Sequence, residues 1–228
     1  MTGKLEDKRS RIYMISGLGA DRRAFRKLVF PDEFEVVYLD WISEVRNESL
    51  ADYAGRLALN IDSTVPFYLI GLSFGGMLAT EISKILKPLH TFLISSLPVY
   101  SGLPWYYKLS GLLRLQKALP LSVIKNSNTF GLRFLGATTA DGKKLLKQLV
   151  ADSNPAFIKW ALTAILTWRN EVRPENLTHI HGNTDFILPS RYLKPDVTII
   201  NGGHFMVYVN AEEIRTIILD KIQSKIVL

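Results

Sequence analysis

Apolar residues recur along this chain in two rhythms. Short runs rich in Val, Ile, Leu and Tyr occur at 11–16, 35–40, 67–72, 90–96, 177–182 and 197–201. Runs of that length and composition predict strands buried on both faces. Between most of them the apolar positions return every three or four residues, the period of an amphipathic helix. Ser49, with Asp52 three residues on, predicts an N-cap for a helix that gathers Leu50, Ala54, Leu57 and Ile61 on one face. The stretch after Ser73 aligns Leu78, Ile82 and Ile85 and must stop before Pro88. Asn154-Pro155 predicts a cap and first helical position ahead of Phe157, Ala161, Ala164, Ile165 and Trp168. Asn210 and Glu213 form a capping pair ahead of Ile214, Ile217, Ile218 and Ile222. Strands alternating with helices predict an α/β fold: a mostly parallel, doubly wound sheet of about six strands.

One segment breaks the alternation. Residues 97–153 carry no strand pattern, only further helical ones, including Pro104-Trp105-Tyr106-Tyr107 followed by Leu109, Leu112 and Leu113. An excursion of that length between two strands predicts a helical lid inserted into a core made of 1–96 and 154–228, the other reading being ordinary packing helices. The chain of 228 residues suits one such domain. With 47% hydrophobic residues it is expected to pack a core. No apolar run reaches the roughly 18 residues of a membrane-spanning helix. The charged opening MTGKLEDKRSR does not resemble a secretory signal, so a cytoplasmic protein is expected. The absence of cysteine removes disulfides, thiolate metal sites and a cysteine nucleophile together.

Chemistry concentrates at three strand ends. Gly71-Leu72-Ser73-Phe74-Gly75 is a G-x-S-x-G between an apolar run and an amphipathic helix. There a serine sits on a sharp strand-to-helix turn, small residues on either side relieve the crowding, and the hydroxyl is exposed at the sheet edge. A glycine-rich turn with an N-capping serine is the bland alternative. A serine hydroxyl needs a base, and the chain has four histidines. His90, His179 and His181 lie within strand patterns and are expected to be structural, whereas His204 stands in a glycine-flexed loop, Gly202-Gly203-His204, after the last strand. A carboxylate should fix the tautomer of that imidazole. Asp185, just past the strand at 177–182, is placed to do so, although turn and cap roles are also open to it, and Asp40 is the next carboxylate to consider. Two backbone N–H groups should receive the developing oxyanion: that of Phe74, and that of Leu18 in the loop Ser16-Gly17-Leu18-Gly19-Ala20-Asp21.

From residue 11 to the last helix the arrangement resembles the α/β-hydrolase superfamily, and within it the small esterase/lipase-like members with a helical lid. The resemblance implies the order Ser73, Asp185, His204 for a catalytic triad. It also implies a serine hydrolase acting, without metal or cofactor, on an ester or thioester of a small-to-medium apolar acyl group. Trp105, Tyr106 and Phe130, with Tyr107 and Phe134, are the aromatic residues available to line the acyl site. The sequence departs from the family twice: Ser16-Gly17 replaces the usual His-Gly of the first loop, and the antiparallel hairpin that often opens the fold is expected to be absent. A binding protein that keeps the pocket but has lost turnover is the alternative function. A dinucleotide-binding domain is suggested by Gly17-Leu18-Gly19 and Asp40, but Arg22 stands where the third glycine is needed.

Charge adds one more expectation. The net charge is +7, and residues 97–153 carry eight Lys or Arg against two acids. No nucleic-acid-binding signature accompanies them. They are either a solvated face or an attraction for an anionic partner: the phosphates of an acyl-thioester carrier, or an acidic membrane surface.

Overall fold

The computed structural model describes residues 9–113 and 135–226. Strands β1 (Ser10–Ile15), β2 (Phe34–Leu39), β3 (Phe67–Leu72), β4 (His90–Ile94), β5 (Leu177–Gly182) and β6 (Val197–Ile199) form one sheet in the order β2-β1-β3-β4-β5-β6. All five pairings are parallel, as expected of strands joined by helical crossovers. Side chains alternate between two cores as the pleat dictates. Ile12 and Met14 point into one, with Ile70, Ile94 and Ile180, beneath Ile214, Ile218 and Ile222 of a C-terminal helix. Tyr13 and Ile15 point into the other, with Leu69 and Leu93, beneath α1 (Leu50–Ala58) and α2 (Phe74–Leu86). β3 is buried along its whole length.

β2 and β3 flank β1 on opposite sides, so the chain reverses its direction of winding between β1 and β3. Loops leaving those two strands diverge and open a crevice at the carboxyl edge of the sheet, where α/β proteins bind ligands. The loop 16–21 and Ser73 stand side by side there. Downstream of β4 the described residues form α3 (Trp105–Leu112), α4 (Ala140–Asp152) and α5 (Pro155–Thr167) before β5, with no strand among them. After β6 come α6 (Met206–Val209) and α7 (Ala211–Ile226).

The caps follow the sequence. Ser49 accepts from the Asp52 N–H, and Asn154 accepts from those of Ala156 and Phe157 with Pro155 opening α5. Some boundaries differ. β1 stops at Ile15 because the Ser16 hydroxyl turns back to donate to the Ala20 carbonyl at 2.8 Å. β4 stops at Ile94 because Ser95 takes φ 49, and β6 at Ile199, two residues before Asn201 with φ 59. Ile85, expected inward, is 55% exposed in the last turn of α2. The loop after β1 enters a four-residue 3-10 turn, Arg22–Phe25, capped by Asp21. It therefore lacks the long helix whose N-terminus would hold a dinucleotide pyrophosphate.

Candidate active site

Ser73 joins β3 to α2 with φ 51 and ψ −115. A non-glycine residue in that region costs about 1–3 kcal/mol and persists only where its surroundings hold it. Two hydrogen bonds do so: the Ser73 N–H donates to the Ile94 carbonyl at 2.9 Å, and the Ser96 hydroxyl donates to the Ser73 carbonyl at 2.6 Å. Close approach fixes the flanking residues. A Cβ on Gly71 would lie 2.5 Å from the Gly75 carbonyl oxygen, and one on Gly75 would lie 2.3 Å from those of Ile15 and Ser16. Neither position admits a side chain.

His204 sits in the turn between β6 and α6 and meets Ser73 across the crevice. Its Nδ1 lies 2.7 Å from Asp185 Oδ2 and its Nε2 lies 2.9 Å from Ser73 Oγ. A carboxylate only accepts, so in the neutral ring Nδ1 carries the proton and Nε2 accepts from the hydroxyl. Asp185 is 3% exposed. Its Oδ1 accepts from the N–H groups of Ile187 at 2.8 Å and Leu188 at 2.9 Å. Burial opposes its charge, but the adjacent His204 and the converging N–H donors outweigh burial and hold the carboxyl below the ordinary range. Asp40, the other carboxylate considered, ends up exposed beyond β2. The structure thus joins Ser73, His204 and Asp185 in one hydrogen-bonded chain, able to take a proton from the hydroxyl and stabilise the imidazolium that results.

The loop 16–21 closes over this chain. A Cβ on Gly17 would stand 3.4 Å from that of Ser73, and Gly19 takes φ +70. The Ala20 carbonyl accepts from both the Ser16 hydroxyl, at 2.8 Å, and the Trp41 indole N–H, at 2.8 Å, which pins the loop's far end. Leu18 and Phe74 both line the cavity beside Ser73. Phe74 opens α2, so its N–H has no acceptor within the helix.

That cavity has a volume of about 400 Å³. Leu18 and Met77 come from the core side, Leu97 and Leu103 from the segment between β4 and α3, Leu146 and Val150 from α4, and Leu162, Ile165 and Leu166 from α5. No charged side chain among the described residues lines it. The aromatic expectations need correction. Trp105 is 63% exposed, and Tyr106 packs against Tyr107 and Tyr192, so neither reaches the cavity. Tyr107 does, donating its hydroxyl to the Ile187 carbonyl at 3.1 Å, with burial pushing its pKa up to about 12. The phase of α3 is set by Gly111, whose Cβ would meet the Leu166 carbonyl oxygen at 2.9 Å. That turns Tyr107 and Ser110 inward together. Phe130 and Phe134 lie outside the described residues.

Sequence reading passed over Trp41, the cavity face of α5, and one buried histidine. His181, expected to be purely structural, places Nε2 3.3 Å from Asp185 Oδ2. Its position four residues before Asp185, at the carboxyl end of β5, was the available signal.

Comparisons with known proteins agree with this fold. The chain is similar to MenH from S. aureus, with 16% identity over 95% of this chain and 94% of that one and a TM-score of 0.74. It is similar to a lipase-esterase related protein from Clostridium acetobutylicum, with 16% identity, 93% and 95% coverage and a TM-score of 0.68. A thermophilic esterase from Thermogutta terrifontis gives 15% identity, 94% and 90% coverage and a TM-score of 0.66. At such identities these likenesses speak for the fold alone. A search of curated protein sequences gave no match. The model of the alpha/beta hydrolase family matches residues 12–216. That span runs from β1 into the last helix and takes in the crevice with Ser73, Asp185 and His204, and the chain accordingly belongs to the alpha/beta hydrolase family.

Proposed function

We propose that this chain is a serine hydrolase that cleaves esters or thioesters of small-to-medium apolar acyl groups through an acyl-enzyme intermediate. The observation that carries the proposal is the hydrogen-bonded chain from Asp185 through His204 to Ser73, opening into an apolar cavity. Ser73 Oγ attacks the substrate carbonyl carbon while His204 Nε2 takes the hydroxyl proton. Asp185, kept ionised, stabilises the imidazolium. The N–H groups of Leu18 and Phe74 receive the oxyanion. Collapse of the tetrahedral intermediate breaks the bond to the alkoxide or thiolate, which leaves with the proton from His204. Water then attacks the acyl-serine by the same route in reverse, giving the free acid and restoring Ser73.

The cavity bears on the acyl group. Among the described residues its walls offer apolar side chains and, away from Ser73 and His204, only the hydroxyls of Tyr107 and Ser110, which already donate to backbone carbonyls. A charged acyl end would be buried without a partner, at a cost of several kcal/mol. Residues 97–153 serve in this reading as the lid, and α3 and α4 supply cavity wall from it. α5 continues that wall beyond the lid's expected end.

Turnover of p-nitrophenyl esters of graded chain length, run beside acyl-thioesters, tests the proposal. Activity should peak at a medium chain and fall by an order of magnitude or more for a chain ending in a carboxylate. Ser73→Ala should lose on the order of 10³-fold or more in kcat with an unchanged circular dichroism spectrum. Undiminished hydrolysis by that variant would contradict the mechanism.

A further inference from the structure

Two buried histidines of β5 remain outside the mechanism just derived. His179 and His181 alternate along β5 and are both 0% exposed. His181 Nε2 lies 2.7 Å from the Leu188 carbonyl oxygen and 3.3 Å from Asp185 Oδ2. Both are acceptors, so this nitrogen carries the proton. In the neutral ring Nδ1 is then bare, and it accepts from His179 Nε2 at 3.2 Å.

We propose that His181 is a positioning residue for the Ser73–His204–Asp185 chain: a neutral donor that holds the 185–188 turn in the form that presents the Asp185 carboxylate to His204. The inference rests on the function proposed above. Three N–H groups hydrogen-bond to the two carboxylate oxygens: Ile187 and Leu188 hold Oδ1, and His204 holds Oδ2. Leu188 is engaged twice, donating its N–H to Asp185 and accepting from His181 at its carbonyl. The imidazole therefore ties the last residue of that turn to β5, with its Nε2 3.3 Å from Asp185 Oδ2. A ring there for packing alone would need no donor aimed at the turn.

The titratable groups facing His181 are His179 on its own strand, Asp185 on the loop after β5 and His204 on the loop after β6. Arg173 and Asp196, paired with each other, act on His179, and the Asp185 charge bears on Tyr106 and Tyr107 of α3. Burial favours the neutral forms of both buried imidazoles. Removing the His181 donor leaves the Leu188 carbonyl without its side-chain partner and loosens the turn that fixes Asp185. Asp185 then stabilises the imidazolium formed at His204 less well.

The test is the pH profile of kcat/KM for a p-nitrophenyl ester in wild type, His181→Phe and His181→Gln. The Phe variant fills the space without a donor, whereas Gln presents an amide N–H close to the position of Nε2. In the Phe variant kcat should fall on the order of tenfold. Its acid limb should move down by roughly half to one pH unit. The Gln variant should recover most of both. If the two variants lose only thermal stability and match wild type in kcat and acid limb, the positioning role is overturned. Wild-type imidazole nitrogen NMR gives a second reading that needs no variant to fold. At pH 7 His181 should be neutral and protonated at Nε2, and the opposite tautomer or a cation at that pH would overturn the proposal. Wild-type protein that hydrolyses no ester or thioester would instead remove the functional reading beneath it.

Discussion

The Ala20 carbonyl oxygen accepts two hydrogen bonds, from the Ser16 hydroxyl and the Trp41 indole, and through them one residue fixes the loop expected to receive the oxyanion. Trp41 is also packed against Phe74 and Phe157, with ring centroids 5.8 Å and 5.1 Å apart. It therefore couples that loop to the residue after Ser73. Trp41→Phe keeps the aromatic packing and deletes the donor. Steady-state kinetics should show kcat lower on the order of tenfold with KM little changed, because the interaction supported is made in the transition state. An unchanged kcat would mean that Ser16 alone holds the loop. The positions of Ser73, Asp185 and His204 at strand ends were legible in the sequence because apolar runs mark the strands and glycines mark the turns. Trp41 was not, since nothing local distinguishes an indole that donates to a loop from one that merely packs. The choice among Trp105, Tyr106 and Tyr107 depended on helix phase, which Gly111 sets through a contact with α5 that lies far away in sequence.

α4 presents three faces, each with a different task. Leu146 and Val150 line the cavity, and Leu145 and Leu149 pack into the core. Asp141 and Asp152, near its two ends, pair with Arg26 at 2.6 Å and Arg23 at 2.7 Å on the turn after β1. Both pairs are exposed, so each contributes about 0–1 kcal/mol and weakens with salt. Lys143, Lys144 and Lys147 point outward. If these lysines attract an anionic thioester, KM for that substrate should rise with ionic strength. KM for a neutral ester of matched acyl length should move only as far as loosening of the two clamps allows. Changing all three lysines to Gln should reproduce the difference at low salt, measured as the ratio of the two KM values, and a ratio that ignores both salt and substitution would leave the charge to solubility. Helix caps and helix starts were legible because Ser, Asn and Pro act locally. The last residues of β1, β4 and β6 were not, because β1 ends where the Ser16 hydroxyl turns back to Ala20, and the other two end at or near a residue of positive φ whose N–H donates to a partner remote in sequence, Ser95 to Ile180 and Asn201 to Asn183.

At the scale of the whole molecule, the all-parallel sheet and its two cores follow from apolar runs too evenly hydrophobic to leave a face in water. The sequence did not indicate the order of the strands, which depends on how crossovers pack in space. The sheet also sets a pH dependence. Burial lowers the pKa of His179 to about 3 from the ordinary 6.5 and lowers that of His181 as well. Below about 6.5 the unfolded chain takes up protons that the folded one refuses, so stability is full above that pH and is lost as pH falls toward the folded values. Each proton contributes about 1.4 kcal/mol per pH unit in that window. The melting temperature should therefore decline from pH 7 to pH 5, and His179→Gln should flatten the decline; an identical slope in that variant would place the proton uptake elsewhere. The central claim, that Ser73 is the nucleophile of an acyl-transfer site, is tested most directly by intact-mass analysis after treatment with an active-site fluorophosphonate. A single adduct that maps to Ser73 and is missing from Ser73→Ala is the predicted result. An adduct on another residue, or an unmodified wild-type protein, would contradict it.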